Sequence, residues 1–248
     1  MQTMKRSVSS YLLLIGAYFS MNYSLLAQSP INLSASVGGG FLVPQSSALK
    51  GQIGGSYDYA LSKTGYTLAG KVRLELQAVP VAVVGTLSYN SLSNEGFLPA
   101  TSPITFTNSL SIFALGIGIE YEFLPTPLAQ PYLSALGTVN FINGKASIGD
   151  NILPEANLNS TTRLGLDLGL GSQITIPSSP LSFDVQAQYH FANLAGKEFV
   201  NTGIPVISGI PLVPHYNLND AANPNDPKDH TRPIDYFTFT IGLRFVVL

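Results

Sequence analysis

The chain has 248 residues, 45% of them hydrophobic and only 10% charged, with a formal net charge of −2 and neither cysteine nor tryptophan. A soluble domain carries about a quarter charged residues, so this composition is poor in the groups that hold a globular surface in water. The charge balance excludes a basic nucleic-acid surface, and the missing cysteines exclude disulfides, thiolate metal sites and a lipoprotein signal.

Met1–Ser10 carries Lys5 and Arg6 and no acid, and Tyr11–Ala27 is apolar with a few small polar residues. This charged segment followed by an apolar one predicts a secretory signal peptide over residues 1–27, removed after Ala27, with the mature domain over 28–248. As a membrane anchor the apolar stretch falls short of the ~20 residues a span needs, and Ser20 and Asn22 interrupt it.

Eight later segments alternate with period two, the signature of strands. Ile31–Phe41 sets Ile31, Leu33, Ala35 and Val37 against Asn32, Ser34 and Ser36. Tyr66–Ala78 opposes Leu68, Val72 and Leu74 to Lys71, Arg73 and Glu75. Val81–Tyr89 follows, and then Phe113–Phe123, where Leu115, Ile117, Ile119 and Tyr121 face Gly116, Gly118, Glu120 and Glu122. Leu133–Phe141 is weaker, because Leu136 falls on the polar parity. Arg163–Ile176, Leu181–Phe191 and Phe237–Phe245 complete the set. The composition offers no helical layer to cover so many apolar faces, so they suit lipid, with the polar faces turned to a lumen.

The connections alternate in length. Val79-Pro80, Leu124–Gln130 and Pro177–Pro180 are short, whereas Pro44–Gly65, Ser91–Asn108, Asn143–Ser160 and Asn193–Arg232 are long and polar. Short periplasmic turns and long outer loops are the pattern of a membrane barrel. With that topology Phe41, Tyr66, Tyr89, Phe113, Phe141, Phe191 and Phe237 form an outer aromatic girdle, and Tyr121, Phe123, Phe183 and Phe245 an inner one. The expected fold is all-β, an eight-stranded antiparallel up-and-down transmembrane β-barrel with both termini periplasmic. Gln52–Leu61 also alternates and is read as part of a hairpin above the membrane, since its tenth-strand partner would have to include Pro205 and Pro211.

The segments SASVGGGFLVP (from Ser34), PYLSALGTVNF (from Pro131) and DYFTFTIGLRFVVL (from Asp235) resemble the outer-membrane β-barrel domain family, small OmpA/OmpX-type barrels of Gram-negative bacteria. The resemblance spans nearly the whole mature chain on loose patterns. It implies export, residence in the outer membrane among its lipid and lipopolysaccharide, and insertion by the barrel-assembly machinery, which reads the last strand. Members usually end on an aromatic residue, whereas here Val246, Val247 and Leu248 follow Phe245. The family fixes no activity.

An eight-stranded barrel is just wide enough for side chains to fill it. The lumen set is Lys71, Arg73, Glu75, Glu120, Glu122, Arg163, Asp167, Asp184, His190 and Arg244, with Gln173, Gln186 and Gln188. Buried charges must pair or meet water, and Arg244 with Asp184, on neighbouring strands near the inner end, is the expected pair. An ionic plug is the leading reading; a narrow cation path along Glu75, Glu120, Glu122 and Asp184 is the other. His190 lies in YHFAN with no inward serine near it on its strand, so it reads as a hydrogen-bonded lumen residue rather than a catalytic base. No catalytic residue, metal or cofactor is expected. The aspartates of NLNDAANPNDPKDHTRPID (Asp220, Asp226, Asp229, Asp235) match no calcium-loop spacing, in a stretch whose Asn and Pro favour turns. Gly38-Gly39-Gly40 lacks the lysine and helix of a phosphate loop and is read as room for side chains of neighbouring strands to pack in the lumen. The expected role is that of a non-enzymatic outer-membrane barrel, structural or binding an extracellular ligand through its long loops. The alternatives are a narrow channel for small or amphipathic solutes and a membrane-embedded lipid hydrolase.

Overall fold

Because successive side chains of a strand point to opposite faces, the alternation written in the sequence becomes an apolar outside and a polar inside once the sheet closes. The computed structural model describes residues 31–46, 61, 63–76, 79–98, 104–124, 126–148, 155–200, 206–207, 210–211 and 215–247. The signal segment and nearly all of Gln52–Leu61 lie outside these. The strands are β1 (Ile31–Pro44), β2 (Gly65–Leu76), β3 (Val81–Leu98), β4 (Ile104–Glu122), β5 (Ala129–Ile148), β6 (Ala156–Leu158), β7 (Thr161–Thr175), β8 (Leu181–Ala195), β9 (Val206–Ile207), β10 (Ile210–Pro211), β11 (His215–Tyr216) and β12 (Asp235–Val246).

Eight of them form the wall in the order β1-β2-β3-β4-β5-β7-β8-β12, and β12 pairs back onto β1 to close it. All eight contacts are antiparallel. Among the described residues, closure leaves each wall strand paired on both sides, the condition for a sheet to sit in hydrocarbon. Outside stand Val37, Leu68, Leu115, Ile117 (70% exposed), Leu170 and Ile241. A water-soluble barrel could not leave such a band bare. At the outer margin, rings meet across strands: Phe41 stacks on Phe239 with centroids 5.0 Å apart, Phe113 lies 6.2 Å from Phe141, and Tyr189 lies 5.2 Å from Phe237.

Two features of the sequence reading need correction. Ser91–Asn108 is not a loop throughout: β3 and β4 stay paired to Leu98 and Ile104, and β5 continues to Ile148 opposite Phe106. Above the aromatic belt the parity is kept but its chemistry inverts. Ser93 and Ser109 face out, whereas Leu92, Leu110 and Ile142 face in and are buried. Here the wall stands in water and needs an ordinary apolar core. Leu42, Ile112 and Tyr236 join these residues, and Leu61, Leu158, Leu218 and Ile234 close over them from the loops. The short β6 pairs with β5, and β11 lies parallel to β6, so the last long connection is tied to the rim.

Gly38 and Gly40 were expected to leave room for lumen side chains. Instead, a Cβ there would meet β12 backbone, at 2.4 Å from Ile241 O and 1.7 Å from Phe239 O. The two glycines let the closing strands approach.

Candidate functional site

The lumen divides into three layers along its axis. At the inner end β2 contributes Lys71, Arg73 and Glu75 on one parity. The Lys71 ammonium lies 2.9 Å from Glu120 Oε1 and 2.6 Å from Asp184 Oδ2, and donates to Tyr132 Oη at 2.9 Å. That hydroxyl donates in turn to Asp184 Oδ1 at 2.7 Å. Gly171 makes the geometry feasible, because a Cβ there would sit 2.3 Å from Tyr132 Oη. Arg73 bridges Glu120 (Nε–Oε2 2.8 Å), Glu122 (Nη2–Oε1 2.6 Å) and Glu75. Arg244 reaches Glu75 Oε1 at 2.5 Å and donates from Nε to Ser34 Oγ at 3.0 Å.

The expected Arg244–Asp184 pair is thus replaced by Arg244–Glu75 and Lys71–Asp184. In register Arg244 faces Ser36 and Ser182, not Asp184. A long side chain in so narrow a lumen meets partners across the bore, and Glu75 lies two strands away. Four carboxylates and three cations share this layer. The space between Ser34, Ser36, Lys71, Arg73, Gln173 and Arg244 has ≈ 0 Å³ open to water.

In the middle layer His190 Nδ1 lies 2.9 Å from Asp167 Oδ1, and Nε2 lies 2.8 Å from Thr238 Oγ1. The ring stacks on Tyr236 at 4.6 Å and 15°. Nδ1 thus meets the carboxylate and Nε2 the Thr238 hydroxyl, so both ring nitrogens have a hydrogen-bond partner. Gln186 donates to Ser134 Oγ at 3.4 Å.

The outer layer is a clamp. Arg163 forms a two-pronged contact with Asp220, Nε to Oδ2 and Nη2 to Oδ1, each 3.0 Å. The fully buried Asp220 also accepts from Asn193 Nδ2 at 2.9 Å and from the Glu198 amide at 3.0 Å. Asn193 further donates to Arg232 O at 2.9 Å and accepts from the Ile234 amide at 2.7 Å. An irregular register, Leu164 opposite Ala195 but Leu166 opposite Phe191, allows Ala192 and Asn193 to be buried in succession. Beyond the wall, burial opposes ionisation of Asp229, but hydrogen bonds from the Asn223 amide and Arg232 override it and hold its carboxyl below the ordinary range.

No protein-family model matches the chain, and no curated protein matches it. Among solved structures it is similar to a major outer membrane protein from Thermus thermophilus (16% identity, 88% of this chain and 100% of that one, TM-score 0.49). It is also similar to Neisserial surface protein A (13%, 88% and 97%, TM-score 0.46) and to Ail, the attachment invasion locus protein of Yersinia pestis (14%, 88% and 100%, TM-score 0.44). Likeness at these values says nothing of what this chain does, which has to come from its own residues.

Residue types alone did not single out Tyr132, Asn193 or Thr238, and Asp220 appeared only among loop aspartates that match no calcium spacing. Tyr132 lies one residue before the expected fifth strand, and its inward parity was the available signal. Asn193 is set inward by a register break that leaves no mark in composition. For Asp220 there was none, since a loop aspartate reads as a turn former.

Proposed function

We propose that the chain is an integral outer-membrane protein with a closed lumen, which anchors an extracellular surface built from its extended hairpins and loops. The observation that carries this reading is the double closure: a dense ion network at one end and an apolar core at the other. Between the aromatic belts every lumen charge lies on the inward parity, and the outward band matches hydrocarbon, which supports the membrane reading. The short connections lie on the side of the termini, which supports placing both termini in the periplasm.

A solute path would have to cross both closures, which disfavours the channel reading. The Asp167–His190–Thr238 line has the order of an acid, an imidazole and a hydroxyl. However, Thr238 is 3% exposed beneath Tyr236, which is fully buried, so no substrate carbonyl reaches it. That supports a structural role for the three.

Reconstitution into planar bilayers tests the proposal. Purified protein inserted in lipid should give no stepwise current. Steady single-channel steps in either salt polarity would replace the closed-anchor reading with the channel.

A further inference from the structure

One part of the outer wall differs from the rest. Following the register sideways, Pro131 pairs with Ser172, Ser172 with Val185, Val185 with Ile241, and Ile241 with Gly39. These five residues share the outward parity of the exposed Leu170, Ile174 and Phe239. Three of them, Pro131, Ser172 and Gly39, are low where the wall elsewhere carries Leu, Ile, Val or Phe. The neighbouring row, Leu170, Ala187, Phe239 and Phe41, rises beside them except at Ala187. The result is a trough of about 670 Å³. It crosses five strands, four interstrand steps of ~4.8 Å, or about 19 Å. Since barrel strands tilt by ~35–45°, the trough descends obliquely from mid-wall at Gly39 to the inner margin at Pro131 and Phe123.

We propose that this trough binds one acyl chain of a phospholipid from the leaflet on the short-turn side. The proposal rests on the membrane reading above. The trough is continuous with the lipid-facing band, so hydrocarbon is the medium that meets it. Its length suits a chain that fills one leaflet, half of a ~30 Å core. A flexible methylene chain can follow a curved, low-relief row, and each buried CH₂ adds its own hydrophobic contribution. Among the described residues no charged side chain lines the trough, so the fatty chain rather than the headgroup sets recognition.

The test uses the mature protein reconstituted into phosphatidylethanolamine–phosphatidylglycerol vesicles, re-extracted in mild detergent and weighed by native mass spectrometry. Wild type should retain one phospholipid per barrel. Ser172→Phe with Ala187→Phe fills the trough and should cut retention at least tenfold. Gly85→Leu adds bulk at an outward glycine where a Cβ has nothing within 4 Å, and should retain lipid as wild type does. Equal retention in all three, no retained lipid in wild type, or a retained second barrel in place of lipid would each overturn the proposal. Failure to enter vesicles at all would instead count against the membrane reading, so the two are separable. Unchanged heat-dependent gel migration shows that the variants are folded.

Discussion

The two ends of this lumen are closed by opposite physics on the same strands. On β4, Glu120 and Glu122 point inward near the inner turn, and Leu110 and Ile112 point inward near the outer rim. The difference follows the medium outside the wall. Where lipid surrounds the barrel, outward residues must be apolar and polarity is confined to the bore, where charges neutralise one another. Where water surrounds it, outward serines are free of cost and the bore takes an ordinary hydrophobic core. One parity thus serves two inverted barrels stacked end to end.

The sharpest way to break this comparison is at the inner closure. Glu120 is fully buried and serves both Lys71 and Arg73. Glu120→Ala leaves two cations short of a partner in a confined bore, and should cost about 3–5 kcal/mol. Reversible denaturant unfolding in lipid vesicles measures this. The triple variant Lys71→Met, Glu120→Leu and Asp184→Asn should recover much of the loss, since it removes the cation together with both of its carboxylates and leaves Arg73 with Glu75 and Glu122.

The wall supplies the next largest effect. Ile117 shares β4 with Glu120 but stands on the outward face, 70% exposed. Ile117→Arg places a cation against hydrocarbon and should cost about 2–4 kcal/mol. A neutral result would mean that water, not lipid, faces the wall, and the inversion at the belt would disappear.

At the outer closure, Leu218 is 3% exposed and reaches the core from the loop. Leu218→Ala should cost about 2–3 kcal/mol, the low end for buried leucines because a loop can follow the collapse. The loss should show as proteolysis of the 193–232 connection with the membrane wall still intact. Concurrent loss of both would show that the two closures form one cooperative unit.

The eight strands were legible because parity survives any environment that differs between two faces. Of Tyr66–Ala78 the part to Leu76 falls on β2, and of Phe113–Phe123 the part to Glu122 falls on β4, for that reason. The ion partners were not legible, because Arg244 to Glu75 and Lys71 to Asp184 depend on reach across a closed bore rather than on adjacency. The outer core was not legible either. A scan for apolar-out alternation stops at Tyr89 and Phe113, where the same parity begins to carry Leu92, Leu110 and Ile112 on the inside. Asp220 was legible only as a turn residue, since its role is fixed by Arg163 and Asn193, far away in sequence.

The smallest effect concerns Tyr216, which packs against the outer core from β11. Burial pushes its hydroxyl up to about 12, above the ~10 of an exposed tyrosine. The folded cap therefore keeps the proton longer than the opened one. Above pH ~10 the opened state binds fewer protons, so the cap loses stability as pH rises, until both states are ionised above about pH 12. The total is on the order of 2 kcal/mol. Amide exchange or proteolysis of the 193–232 connection should be level below pH ~10 and rise through that window. Tyr216→Phe removes the titrating group and should flatten the rise. A rise that persists in Tyr216→Phe would place the alkaline weak point in the wall rather than in the cap.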